Sequence, residues 1–401
     1  MHTAIRTHGF TESVIRGMTR LANEHDAINL SQGFPNFPAP DEVKDEACRA
    51  IHADINQYAI TWGSRRLRLA LTRKYAEFYG LEIDPEAEIT VTCGATEAMA
   101  TVLLALVDPG EQVIVLEPFY ENYGPDTVIC QAEPVFVPLG EPPEWRLDLE
   151  RLERAFSDRT RAIILNTPNN PTGRVLTREE LEGVAELCRR HDAYVVTDEV
   201  YEHILYDGEH IPVATLPEMR ERTITISGAS KTYSVTGWRI GTIVAPSWVT
   251  DAIRKVHDFL TVGAPAPLQE GVAAAIETLG PEYYERLAAD YRVRRDVLYG
   301  RLLEAGFQAK RPQGAYYILA DFSEISDLPD DEFSYWLTRE IGVAPVPGSS
   351  FYSDPAAGRR LVRFAFCKTT DVLEEAAERL ASLRERAVPC RPLGTSRMRG
   401  G

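Results

Sequence analysis

The segment SGASKTYSVTGWRIG, Ser227 to Gly241, follows an apolar strand-like run, Thr223 to Ile226, and places Arg239 eight residues after Lys231. A lysine in a partly desolvated pocket loses its proton near neutral pH and condenses with a carbonyl. A guanidinium close by is an anion site. The pair predicts an imine-forming lysine beside a bound anion. The carbonyl cofactor that also carries a phosphate is pyridoxal phosphate.

The remaining partners of such a cofactor are sought at strand ends. YVVTDEVY, residues 194–201, is a β-branched apolar run closed by Asp198 and Tyr201, as expected of a buried parallel strand whose C-terminal end faces a site. An acid there suits a protonated pyridine nitrogen, and Tyr201 is placed to hydrogen-bond the ring's phenolic oxygen. RAIILNTPNNPTG starts as a strand at Arg161 and breaks into a Pro/Asn/Gly loop that offers the amide of Asn170. The run from Glu88 to Val107 reads as strand, glycine-containing turn and helix, so that the amides near Ala95 and Thr96 open a helix N-terminus suited to phosphate.

NNPTG (169–173), DEVY (198–201), Ser230-Lys231 followed by TGWR (236–239) and VRFAF (362–366), in that order, resemble the fold-type I, class I aminotransferases over nearly the whole chain. INLSQGFPNFPAP (28–40), NQYAITWG (56–63), EPFYENY (117–123) and DEVYEHILYDGEH (198–210) are most similar to the branch with kynurenine, glutamine and methionine aminotransferases. The resemblance implies an α/β fold with a mostly parallel sheet flanked by helices in a large domain, plus a smaller α+β domain. It implies that Lys231 forms the Schiff base and shuttles the Cα proton, that Asp198 pairs with the ring nitrogen, and that Tyr201 and Asn170 pair with the ring oxygen. Arg239, with Ala95 and Thr96, would hold the phosphate. Phe119 matches an aromatic stacked on the ring, Arg363 the clamp on the substrate α-carboxylate, and Gly33 a backbone that approaches that carboxylate. Tyr58 matches a tyrosine that reaches the phosphate of the neighbouring subunit, which implies a homodimer.

One position departs from the pattern. Many relatives carry Ser or Thr three residues before the lysine, where this chain has Gly228, so either Ser227 or Ser230 is expected to substitute as a phosphate contact. Gly228 also argues against an S-x-x-K acyl-transfer pair. His25 and His203 read as ordinary surface or helix-end residues, and no metal-ligand spacing accompanies them.

Composition agrees with this reading. A chain of 401 residues buries a large core and predicts about two domains, and its net charge of −17 disfavours nucleic acid or an anionic membrane as the main partner. The six cysteines (Cys48, Cys93, Cys130, Cys188, Cys367 and Cys390) have no C-x-x-C spacing, so a reduced cytoplasm is the expected compartment. The N-terminus has no apolar signal-like run, and no stretch approaches the length of a membrane span. Alternating strand and helix patterns from about residue 45 to 285 predict βαβ units. The expected division is a large cofactor domain over 44–286, an N-terminal arm and small substrate-closing domain over 1–43 and 287–390, and a flexible tail over 391–401.

Transamination is favoured over other reactions that begin with loss of the Cα proton, because Arg363 and the NNPTG and TGWR elements match aminotransferases. The segments GFPNF (33–37) and PGSSF (347–351) match loops that close over substrate. Trp62, Phe34, Phe119, Tyr120 and Tyr352 are candidates for an apolar pocket that takes glutamine, methionine or kynurenine-like donors. Arg65 and Arg66 supply the competing signal, a second-carboxylate site for aspartate or N-succinyl-diaminopimelate. A cysteine-conjugate β-lyase is the further alternative.

Overall fold

The computed structural model describes residues 2–8, 10 and 12–384. An early strand, β1 (Ile28–Asn29), precedes the seven strands of the main sheet. These are β2 (Ile89–Thr92), β3 (Gln112–Glu117), β4 (Glu133–Pro138), β5 (Thr160–Asn166), β6 (Tyr194–Asp198), β7 (Thr223–Gly228) and β8 (Gly241–Val244). They are ordered β2-β8-β7-β6-β5-β3-β4. All neighbouring pairs are parallel except those of β8, which runs antiparallel to both β2 and β7.

The central strands are apolar on both faces because helices cover both. Ile163, Leu165 and Val195 pack into one core, whereas Ala162, Ile164 and Val196 pack into another on the opposite side. This is the period-two alternation of a strand buried on both sides. One covering helix, Arg178–Arg190, starts at a capping box formed by Thr177 and Glu180 and turns Leu181, Val184, Ala185 and Cys188 inward at helical spacing.

The second sheet comes from the C-terminal part of the chain, with β9 (Gln308–Ala309), β10 (Tyr317–Asp321), β12 (Val346–Pro347) and β13 (Leu361–Ala365) in antiparallel order β12-β13-β10-β9. Between β10 and β12, β11 (Val343–Ala344) pairs in parallel with β1. A long helix, Pro281–Glu304, buries Tyr291, Arg295, Leu298 and Leu302. It runs unbroken across the expected boundary at 286/287. A further helix, Thr370–Ala381, follows the second sheet, and the expected tail at 391–401 lies outside the described residues.

One core joins the two sheets. Val200 and Tyr201, just past the end of β6, share a buried cluster with Leu298, Tyr317 and Phe364. The C-terminal ends of β5, β6 and β7 therefore open towards the second sheet.

Behind those ends lies a buried ion pair. Glu202 accepts hydrogen bonds from Lys74 Nζ at 2.6 Å, from the Ser227 hydroxyl at 2.5 Å and from the Tyr79 hydroxyl. Burial pushes this carboxyl up, but Lys74 above all, with His210 nearby, outweighs it and holds the group well below the usual carboxylate range. The sign follows from linkage: a depressed folded pKa contributes stability above the unfolded pKa and loses it as pH falls. Lys74→Met leaves the carboxylate buried without its cation and is expected to destabilise the protein by about 3–5 kcal/mol at neutral pH. The difference from wild type should narrow below about pH 4, where the unfolded carboxyl also takes a proton; urea unfolding at both pH values measures it, and a pH-independent gap would contradict the assignment.

Candidate active site

A cavity of about 880 Å³ opens at the ends of β5, β6 and β7, and its walls include Lys231, Asp198, Asn170, Tyr201, Arg239 and Arg363. Lys231 lies in the short helix Ala229–Thr232 that follows β7 directly. Its Nζ donates to the Gly33 carbonyl at 3.1 Å and lies 5.9 Å and 5.6 Å from the ring centres of Tyr201 and Tyr316. Burial lowers its pKa to about 8; Cys367 and Asp198 oppose that shift, and Arg239 and Arg363 add to it. A lysine so placed is a nucleophile near neutral pH.

Asp198 ends β6, opposite Asn166 at the end of β5. Its Oδ2 accepts from the Tyr123 hydroxyl at 2.7 Å and its Oδ1 from the Val200 amide at 3.4 Å. Burial raises its pKa, partly offset by those two hydrogen bonds and by Lys231. A buried carboxyl that bears no salt bridge among the described residues suits a protonated ring nitrogen. The Tyr201 hydroxyl lies 3.0 Å from that of Tyr317, and burial holds its pKa well above the ordinary tyrosine value.

Arg363, in β13, is fully buried. Its Nη1 donates to Asn170 Oδ1 at 2.8 Å, its Nη2 donates to the Ser31 carbonyl, and its Nε has no partner. No carboxylate pairs with it among the described residues. An unneutralised guanidinium at that depth is costly unless an anion meets it. Gly33 shares the cavity wall with it, and a methyl group there would sit 2.0 Å from the Tyr317 hydroxyl oxygen, so a side chain there would displace that ring.

The phosphate end is built on the helix Ala95–Leu106. Gly94 precedes it with φ 83° and no side-chain cap, so the first amides, including those of Ala95 and Thr96, are left to a ligand. Arg239 adopts a left-handed conformation (φ 55°, ψ 54°), which carries its guanidinium over Gly94. A methyl group on Gly94 would lie 2.2 Å from Arg239 Nη2. Ser230 lines the cavity, whereas the Ser227 hydroxyl is committed to Glu202.

Other residues singled out in the sequence lie elsewhere. Phe119 stacks on Phe136 at 5.3 Å and lines a small void that shares Tyr123 and Asn166 with the cavity wall. Of the five proposed pocket aromatics only Phe34 and Tyr120 line the site; Trp62 packs under Arg254, with the guanidinium 4.7 Å from its ring centre, and neither it nor Tyr352 is in the wall. Arg65 and Arg66 are also outside it. Arg66 is held by Glu46, Glu270 and Glu277, and Arg65 is exposed, 3.9 Å from Glu86. His203 is buried, among Phe78 and Tyr284, and burial lowers its pKa to about 3, so it is neutral. Tyr58 is 86% exposed and lies outside the cavity of its own chain. Tyr123 had no expected role, although it lies in the EPFYENY motif; its bond to Asp198 is a contact across the fold that spacing does not reveal.

A nucleophilic lysine, a buried acid, a buried guanidinium and a helix-end anion cradle around one cavity define a site for a phosphorylated aldehyde and a carboxylate. The family described as aminotransferase class I and II matches residues 25–380, and the chain belongs to it. A probable N-succinyldiaminopimelate aminotransferase of Mycobacterium tuberculosis is 40% identical over 397 residues, 96% of this chain and 99% of that protein. Human kynurenine–oxoglutarate transaminase 1 is 38% identical, with 90% of this chain and 93% of that protein aligned. The crystal structure of an Escherichia coli protein with methionine aminotransferase function superposes with a TM-score of 0.91 at 37% identity, covering 95% of this chain and 100% of that one.

The protein is a pyridoxal-phosphate-dependent aminotransferase. When bound, that cofactor supplies an electron sink for negative charge at the substrate Cα. The residues present fit it in charge and in donors. After removal of cofactor, the rate of uptake of pyridoxal phosphate should rise with pH through about 8, as Lys231 becomes neutral; a flat rate from pH 7 to 9 would contradict this. Gly94→Ala, strained at positive φ and crowded against Arg239, should weaken cofactor binding roughly tenfold or more, as read by absorbance titration.

Proposed function

We propose that the enzyme exchanges the amino group of a neutral or aromatic L-amino acid, such as glutamine, methionine or kynurenine, with a 2-oxo acid in a two-step, one-site cycle. The observation that carries this reading is the pairing, around one cavity, of Lys231 with a buried Arg363 that has no carboxylate partner among the described residues. Arg363 binds the α-carboxylate and so orients the Cα–H bond, with the Gly33 backbone alongside. Lys231 would hold the cofactor's aldehyde carbon and serve as the base that carries the substrate's Cα proton. Asp198, held by Tyr123, keeps the ring nitrogen protonated, and Tyr201 and Asn170 bind the ring oxygen. Arg239, Ser230 and the amides of Ala95 and Thr96 bind the phosphate. Phe34 and Tyr120 supply apolar surface for the donor side chain, which agrees with the relatives that act on methionine and kynurenine.

The working unit in this reading is a homodimer. Tyr58 (86% exposed) and Phe259 (92% exposed) belong to segments joined by the Thr61–Asp258 hydrogen bond at 3.0 Å, and Leu260 and Val262 extend the apolar surface. This patch adjoins the cavity through Cys93, whose Sγ lies 3.5 Å from the Gly263 carbonyl. An exposed apolar patch of this kind marks an interface, and Tyr58 crosses it to the partner's phosphate. The large unit over 44–286 and the units over 1–43 and 287–390 then close on substrate from opposite sides. The cysteines described are free and no described helix is long and apolar enough to cross a membrane, which supports placement in the cytoplasm.

A visible spectrum recorded while single amino acids are added without a 2-oxo acid tests the function. Neutral or aromatic donors should convert the cofactor band stoichiometrically. Lys231→Ala should lower that rate by roughly 10²–10⁴-fold or more; pyruvate release from cysteine conjugates without conversion would replace this reading by a lyase. Phe259→Asp should yield monomers in sedimentation and weaken cofactor retention.

A further inference from the structure

Four cations line the cavity: Lys231, Arg239, Arg363 and Arg16. Under the proposed function the first three meet the cofactor aldehyde, the phosphate and the α-carboxylate. Arg16 is left over. It lies in the first turn of the helix Val14–Glu24, is exposed, and its guanidinium makes no hydrogen bond or ion pair among the described residues. The acids nearby have other partners. Glu12 is gripped by Arg20 at 2.6 Å and 2.9 Å, and Glu121, also in the cavity wall, accepts from the Ser13 hydroxyl. Arg65 and Arg66 are outside the cavity, so Arg16 is the cation at its solvent end.

We infer that Arg16 is a specificity residue that binds the second carboxylate of a dicarboxylic substrate, such as 2-oxoglutarate or glutamate, while Arg363 holds the first. This rests on the aminotransferase reading given above. A one-site cycle must admit the donor and the acceptor to the same pocket in turn. An apolar wall formed by Phe34 and Tyr120 suits a neutral side chain, and a long, exposed guanidinium accommodates both cases. When the side chain is neutral it stays in water, near Glu12, whose carboxylate feels its charge while bonded to Arg20, and it forms a charge-assisted pair when a substrate carboxylate arrives. The helix that carries it also places Ile15 in the wall, so apolar and cationic contacts come from one turn.

The test uses the holoenzyme and its Arg16→Gln and Arg16→Lys variants. For the amino-loaded enzyme, kcat/KM is measured for 2-oxoglutarate and for the 2-oxo acid of methionine; calorimetry gives the affinities for glutarate and pentanoate. Arg16→Gln should lower the dicarboxylate-to-monocarboxylate ratio by roughly ten- to a hundredfold in both measurements, with part of it recovered in Arg16→Lys. Unchanged ratios, or a wild-type enzyme with no preference for the dicarboxylates, would overturn the inference while leaving the proposed function intact. Failure of wild type to react with either 2-oxo acid would overturn both.

Discussion

A guanidinium buried without an acid of its own is the constraint around which the site is arranged. Arg363 is held inside by the Asn170 amide oxygen, the Ser31 carbonyl and the rings of Tyr317 and Phe351, none of which neutralises it. In a chain of net charge −17, a carboxylate would have been easy to supply. With none beside it among the described residues, the proposed function has a substrate carboxylate complete the missing charge, a route by which an acidic protein can recruit an acidic ligand.

The fold brings three different kinds of backbone to that point. Parallel strands β5, β6 and β7 end side by side and present Asn166, Asp198 and, one short turn further on, Lys231. The antiparallel β13 delivers Arg363 from the second sheet, and the loop after β1 brings the Gly33 carbonyl within reach of Lys231. Glu202 binds this assembly from behind. Through Lys74, Tyr79 and Ser227 it ties an early helix to the stretch after β6 and to the strand that precedes the lysine. A fully hydrogen-bonded buried network of this kind rigidifies what it joins, and it fixes the spacing between Asp198 and Lys231 without touching the cavity.

Electrostatics then divide the labour. Lys231 and Asp198 are both shifted towards neutrality, chiefly by burial, the lysine downward to about 8 and the aspartate upward. Groups poised in this way exchange protons at small energetic cost. Arg239, by contrast, is exposed at a helix end, where an anion would be met by geometry and dipole more than by desolvation.

Much of this was legible in the sequence because it is local. The apolar runs of β5 to β7, the glycine before Ala95 and the residues that close each strand are neighbours along the chain, so pattern and turn chemistry place them: Lys231, Asp198, Asn170, Tyr201, Arg239 and Arg363 all line the cavity. The side chains that spacing misplaced are those whose direction depends on distant partners. Phe119 turns to Phe136, Trp62 to Arg254, and Arg66 to three glutamates on two other helices. Ser227 and Ser230 are equivalent by spacing, and only the position of Glu202 decides which faces the site. The sequence by itself thus determined the chemistry and the strands that carry it, since both follow from short-range pattern. Tertiary packing alone decided which aromatics and which arginine line the cavity, because a side chain's direction is set by contacts with other elements of the fold.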